Sequence, residues 1–470
     1  MWRIKSRAPP ARLILRNRPA PAAGRQYPLR IEESIMTTYT PLRDVPAAAG
    51  YGPGDVFVLF GELFGRGYAN GIVDEARKAG MTIIGATVGR RDNNGPLRPL
   101  TAEELAEAEA NLGGKIINVP LEAGFDLEPA GDGLTPVDRL KGVKPETVAT
   151  TALDMAAIEE SRQKGLARFR GNLADFAREL DGLVPSGANL LIVHTMAGGI
   201  PRARTLMPLL NRVFKGQGDR FLSSELFWNS DVGRLCSLSF DEVTADTFGA
   251  LVDATASLRA RVEVAGARVS YAAYGYHGCE VLIGGEYRWQ SYTPYLQGWA
   301  KIRLEEWACR VWQQGVKATV YNSPEIQTNS SALFLGVELS LYPLLAALAR
   351  EGGSSAAAGI RAACQALLRE GETMDAVLAQ ADAYLASPVL ASFGKLEEWP
   401  RHNTPDQAAL MLTASDALMT MNADPKNIVC AELSKAVFQA VGQLMFDHSW
   451  VPQAPVLWLN HDVIARRLAV

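Results

Sequence analysis

Three groups of residues in this 470-residue chain have types and spacings suited to chemistry. Gly61, Gly65 and Gly67 follow the apolar run Asp55–Phe60 and precede a helical stretch, Ile72–Ala79, that stops at Gly80. Glycine is needed where a backbone turns tightly and where it must approach a pyrophosphate, and a helix N-terminus adds unpaired N–H donors and partial positive charge. A second apolar run, Met81–Val88, leads into Arg90 and Arg91. Guanidinium groups at that strand end suit a ribose 2′-phosphate, whereas an acid there would take a 2′-hydroxyl. NADPH is therefore the expected cofactor, with NADH left open because Asp92 follows the two arginines. Further on, Tyr292, Tyr295 and Lys301 open a long helix. A nearby ammonium stabilises a phenolate and makes the phenol a useful proton donor. Both tyrosines compete for that role, since Tyr295 is closer to Lys301 and Pro294 lies between them.

Other reactive side chains read as structural. His194 is expected to take a hydrogen bond at a strand end, and Cys279, without an activating neighbour, to be a buried thiol. Trp299 and Trp307 recur at helical spacing, which suits core or dimer packing. Glu103, Glu104, Glu107 and Glu109 form an acidic run expected on a solvated face. The histidines are dispersed and the five cysteines show no paired spacing. No metal site is expected, and reduced thiols suit a cytoplasmic enzyme.

The elements that must position these groups alternate. Apolar runs at Asp55–Phe60, Met81–Val88, Lys115–Pro120, Asn189–His194, Arg268–Tyr274 and Val316–Tyr321 read as buried strands. Helical patterns such as Ala152–Leu180 and Ala300–Gln313 lie between them. Strand, glycine turn, helix and strand make a βαβ unit with parallel strands. The fold class is α/β: a doubly wound, mostly parallel Rossmann-type sheet with helices on both faces and a helical C-terminal elaboration. After about Thr328 the pattern turns helical at Leu333–Arg350, Ala356–Arg369, Met374–Ala386 and Ala431–Met445, with one late strand at Pro455–Asn460. The expected domains are residues 50–332 as the dinucleotide-binding core and 333–470 as a helical extension packed on it. Residues 1–35, rich in Arg, Pro and Ala, stand apart as an overlong translation start before Met36, a targeting peptide or a disordered basic tail.

Composition narrows the function classes. The chain is 48% hydrophobic and 21% charged, with a net charge of only −4 from 47 basic and 51 acidic residues. That balance argues against a nucleic-acid partner, and no apolar run is long enough to span a bilayer.

The order of segments resembles the short-chain dehydrogenase/reductase superfamily, and within it the enoyl-ACP and trans-2-enoyl-CoA reductases. Gly61, Gly65 and Gly67 match the superfamily glycine motif, with Phe60 in place of the usual threonine. Ile192–Ala197, containing His194 and Thr195, is similar to the fourth-strand segment that passes the nicotinamide ribose. Tyr276, Gly278 and Glu280 are similar to the segment that supplies the first active-site tyrosine. Tyr292 and Lys301 keep the eight-residue gap of the long enoyl-reductase branch. Pro324–Thr328, with Ile326 and Thr328, is similar to the stretch that caps the nicotinamide carboxamide, and Gln327–Ala332 and Leu341–Leu345 also match that branch. Tyr276 and Tyr292 are sixteen apart, farther than usual, with Leu282–Trp289 as an insertion.

The resemblance implies hydride delivery to the β-carbon of an enoyl thioester, with Tyr292, assisted by Tyr276, stabilising the enolate. Lys301 would hold the nicotinamide ribose, and the protein would be a homodimer or homotetramer. Two other readings stand beside it. One is a carbonyl reductase, although Gln297 occupies the position four before Lys301 where that class has tyrosine. The other is a catalytically silent nucleotide-binding subunit.

Overall fold

A computed structural model describes residues 39–291, 296–328, 336–391 and 402–470. Residues 1–35, Tyr292 and Tyr295 lie outside them, as does most of the Gln327–Ala332 segment.

Seven strands build the central sheet: β1 (Val56–Phe60), β2 (Thr82–Thr87), β3 (Lys115–Pro120), β4 (Leu190–His194), β5 (Val269–Gly275), β6 (Ala318–Asn322) and β7 (Val456–Trp458). Their order is β3-β2-β1-β4-β5-β6-β7 and every neighbouring pair is parallel. The chain runs outward from β1 on one side, returns, and runs outward on the other, which is the doubly wound order. Strands covered on both faces need apolar residues throughout, and β1 and β4 are buried at every position.

One face carries α2 (Met155–Leu183), capped by Asp154, whose carboxylate accepts from the N–H groups of Ala156 and Ala157. Its buried residues Phe169, Leu173, Phe176 and Leu180 recur every three or four positions, the period that keeps one stripe on the sheet. Phe176 meets Phe60 edge-on at 5.5 Å. Phe60 therefore points into this core, and burying such a ring stabilises by about 2–3 kcal/mol.

The opposite face carries α1 (Ala69–Lys78), and the helical C-terminal part lies against it: α4 (Val337–Leu341), α5 (Met374–Leu385), α6 (Pro405–Thr420) and α7 (Val429–Ser449). A Cβ at Gly71 of α1 would lie 1.9 Å from the Phe438 carbonyl, and one at Gly442 of α7 would lie 2.2 Å from Gly71. The two helices touch backbone to backbone, so glycine is required at both positions. The C-terminal part shares a core with the sheet and also contributes β7.

Leu282–Trp289 is part of a hairpin, Gly278–Ile283 paired with Glu286–Ser291. Gly284 and Gly285 have φ of 57° and 85°, as a tight primed turn requires. The hairpin leads from β5 toward α3 (Leu296–Gln313). Among the described residues no helix is long and apolar enough to cross a membrane.

Candidate functional site

In a doubly wound sheet the ligand crevice opens where strand order reverses, here between the C-terminal ends of β1 and β4. The Thr195 N–H donates to the Phe60 carbonyl at 2.9 Å, holding the two strand ends together. Gly61 turns away from β1 at φ 140°, and a Cβ there would lie 2.2 Å from the Thr195 hydroxyl. Gly67, at φ 151°, turns the chain into α1. Two cavities flank this turn. One of about 280 Å³ lies over β4–β6 and is lined by Thr195, Tyr274, Tyr276, Lys301, Ile326 and Thr328, among others. The other, about 370 Å³, lies toward β2 and is lined by Gly61, Thr87, Arg90, Glu104 and Glu107, among others. Glu62 and Phe64 border both.

The first cavity contains a buried cation. The Lys301 ammonium donates to the Tyr274 carbonyl at 2.6 Å, and burial lowers its pKa to about 8. One helical turn on, Glu305 is fully buried. Its carboxylate lies 3.0 Å from His277 Nδ1 and accepts from the Asn322 amide at 2.8 Å. The Asn322 side-chain oxygen in turn accepts from the His277 backbone N–H at 3.0 Å. This closed triangle fixes the residue after Tyr276 to both α3 and β6, which sets where the phenol enters the cavity. The Tyr274 ring stacks on Tyr68 at 5.5 Å, and the Tyr68 hydroxyl donates to the Pro324 carbonyl. The glycine turn and the Pro324–Thr328 segment are thereby joined across the crevice.

At the β2 end the two arginines part company. Arg91 is only 6% exposed and pairs with Glu122 at 2.6 Å and Glu128 at 3.1 Å. A guanidinium already bonded to two carboxylates does not reach the cavity, so the sequence expectation for Arg91 is corrected. Arg90 borders the cavity but donates to Glu62 at 2.8 Å. The Glu62 carboxylate also accepts from the Thr87 hydroxyl at 2.7 Å and the Val88 N–H at 3.0 Å. An acid thus occupies the end of the second strand after all, supplied by the glycine turn.

The structure brings Gly61, Gly67, Thr195, Tyr276, Lys301, Ile326 and Thr328 to one crevice, with Gly65 on the turn between the first two. It leaves His194 behind: the ring is buried beneath Phe248, and its Nε2 lies 2.8 Å from the Thr247 hydroxyl. Burial, then the Lys301 charge, holds that imidazole well below its usual pKa. The acidic run is not simply a solvated face, because Glu104 pairs with Arg98 at 2.7 Å and Glu109 accepts from the Ile116 N–H at 3.0 Å. Cys279 is a buried thiol, as expected. Sequence reasoning missed Glu62, Glu305 and Glu325. Only Glu62, directly after the first glycine, carried a usable signal.

A crevice of this kind, at the switch point of a parallel sheet, is the architecture of the dinucleotide-dependent α/β oxidoreductases. Over residues 38–468 the chain matches the family model described as enoyl-acyl carrier protein reductase FabMG, and it belongs to that family. Among solved structures it is similar to an apo FabMG, described as a novel type of enoyl-acyl carrier protein reductase. Identity to it is 52% and the TM-score 0.89, over 92% of this chain and 97% of that one. An NADH-bound FabMG is 44% identical with a TM-score of 0.74, over 92% of this chain and 99% of that one. No curated protein sequence matches the chain.

Proposed function

We propose that this protein reduces the carbon–carbon double bond of an enoyl thioester carried on acyl carrier protein, with NADH as reductant, as a divergent member of the short-chain dehydrogenase/reductase superfamily. The observation that carries the reading is the buried Lys301 ammonium in the same cavity as the Tyr276 phenol, across the crevice from the Gly61 turn. The family and the NADH-bound relative support it.

The crevice fits a dinucleotide on its own geometry. The approach at Gly61 excludes a side chain, and Gly67 frees the start of α1 for a diphosphate. Ile326 and Thr328 would hold the nicotinamide amide, and Thr195 its ribose. Bound there, the reduced nicotinamide supplies the hydride that reaches the β-carbon. The chain's own part is to stabilise charge. Tyr276 and Tyr292 donate hydrogen bonds to the thioester oxygen as it becomes an enolate. Lys301 holds the ribose and favours the anion through its field.

The choice of NADH rests on Glu62. A ribose 2′-hydroxyl can donate to that carboxylate, whereas a 2′-phosphate would be repelled by it. Wild-type protein is expected to oxidise NADH with crotonyl-ACP and to prefer NADH to NADPH by at least about tenfold in kcat/KM, roughly 1.4 kcal/mol. Glu62→Gln removes the repelling charge and releases Arg90, so the preference should narrow or reverse. Oxidation with acetoacetyl-ACP but not crotonyl-ACP would sink the enoyl assignment. A wild-type preference for NADPH would sink the role of Glu62.

A further inference from the structure

Behind Tyr276 lies a buried acid that the reading above does not use. Glu325 follows β6 and is 5% exposed. Its carboxyl is hydrogen-bonded with the Tyr276 phenol and feels the Ser340 hydroxyl of α4, which itself donates to the Val337 carbonyl at 3.3 Å. Glu338, on the same short helix, is also 5% exposed and close enough to act on Glu325 through its charge. It accepts a hydrogen bond from Ser415 of α6, and the next residue, Asp416, is exposed. Tyr68 from the glycine turn, Tyr384 from α5 and Cys430 from α7 are the other groups that feel the Glu325 charge. Two carboxyls facing phenols, hydroxyls and a thiol in a dry pocket cannot both ionise. Burial, followed by the Glu338 charge, outweighs the two hydrogen bonds and holds the Glu325 pKa near 8, so it carries its proton at neutral pH.

We propose that Glu325 is the proton reservoir of Tyr276, a positioning residue that returns a proton to the phenol in each cycle and is refilled from water. The inference rests on the reading in which Tyr276 serves the enolate. Its balance is closed. Hydride adds to the β-carbon, and the enolate oxygen takes the Tyr276 proton as the phenol O–H bond breaks. The enol then settles as the saturated thioester, its oxygen-bound proton passing to the α-carbon, the phenolate takes the Glu325 proton, and the carboxylate takes one from water. One solvent proton is consumed for each double bond reduced.

The test is a double-mutant cycle. Glu325→Gln keeps the shape and the hydrogen bonds but has no acidic proton. It is expected to lower kcat with crotonyl-ACP by about 10²-fold while leaving NADH affinity, read by fluorescence titration, unchanged. In a Tyr276→Phe background the same substitution should alter kcat by no more than about twofold, because its route of action is gone. Glu325→Asp, which keeps the acid, should recover part of the loss. Equal losses in both backgrounds, no loss in the wild-type background, or an Asp variant no faster than Gln would each overturn the inference. A wild-type protein inert toward crotonyl-ACP would overturn the functional reading as well, which separates that failure from the other three.

Discussion

Replacing Lys301 by methionine is expected to lower kcat/KM for enoyl thioester reduction by about 10³-fold, near 4 kcal/mol of transition-state stabilisation. The ammonium is buried beside the crevice cavity, where a charge is screened less than in water. The same burial offsets what the fold loses when methionine deletes the hydrogen bond to the Tyr274 carbonyl. The folded pKa of Lys301 is about 8 against an ordinary 10.5, so below pH 8 the charged lysine costs stability, and that cost fades as pH climbs from 8 to 10.5. Methionine removes the cost and keeps the volume. Unfolding by denaturant at pH 7 should therefore show an equal or higher midpoint while turnover collapses. Arginine should not rescue, because the Tyr274 carbonyl 2.6 Å from the ammonium leaves no room for a planar fork. A methionine variant within tenfold of wild type would remove Lys301 from the chemistry.

The second large effect is at the turn. Gly61→Ala places a methyl group 2.2 Å from the Thr195 hydroxyl, on a backbone at φ 140° that alanine avoids. Thr195 cannot step aside freely, because its N–H is bonded to Phe60. The expected result is a loss of about 2–4 kcal/mol of stability and NADH binding weaker by at least about 100-fold, since the turn must open where the diphosphate approaches. Gly65→Ala is the internal control. Nothing lies within 4 Å of a Cβ there, so unfolding should be nearly unchanged. Denaturant titration and NADH fluorescence measure both. Equal behaviour of the two variants would contradict the role given to Gly61.

Much of the sheet could be read from the chain because buried parallel strands must be apolar at every position. Lys115–Pro120 matches the observed strand, and the others fall within one or two residues. The late strand near Pro455 is there as well, shorter than expected. The hairpin after Gly278 went unread, although its twin glycines 284 and 285 signal a primed turn. The helices between Leu206 and Ala254, and His461–Ala469, also went unread, as did α6 and Ala256–Val264. In the last two the apolar residues are spread around the axis with little one-sidedness, so periodicity gives no stripe. Charge was the least legible property. Arg91 finds Glu122 and Glu128 more than thirty residues away, and Glu325 meets the α4 pair only through tertiary packing. Residue type fixed the chemistry on offer at each position, but partners decided which groups remained free to use it.

The crevice between β1 and β4 is expected to hold the reacting thioester against Tyr276, Tyr292 and Lys301. A crystal structure with NADH and an unreactive saturated acyl thioester tests it most directly. The expected result is the nicotinamide over Thr195, the Lys301 ammonium on its ribose and the thioester oxygen within hydrogen-bond distance of one of the two phenols. A thioester oxygen met by neither phenol, or a nicotinamide bound away from Lys301, would contradict it.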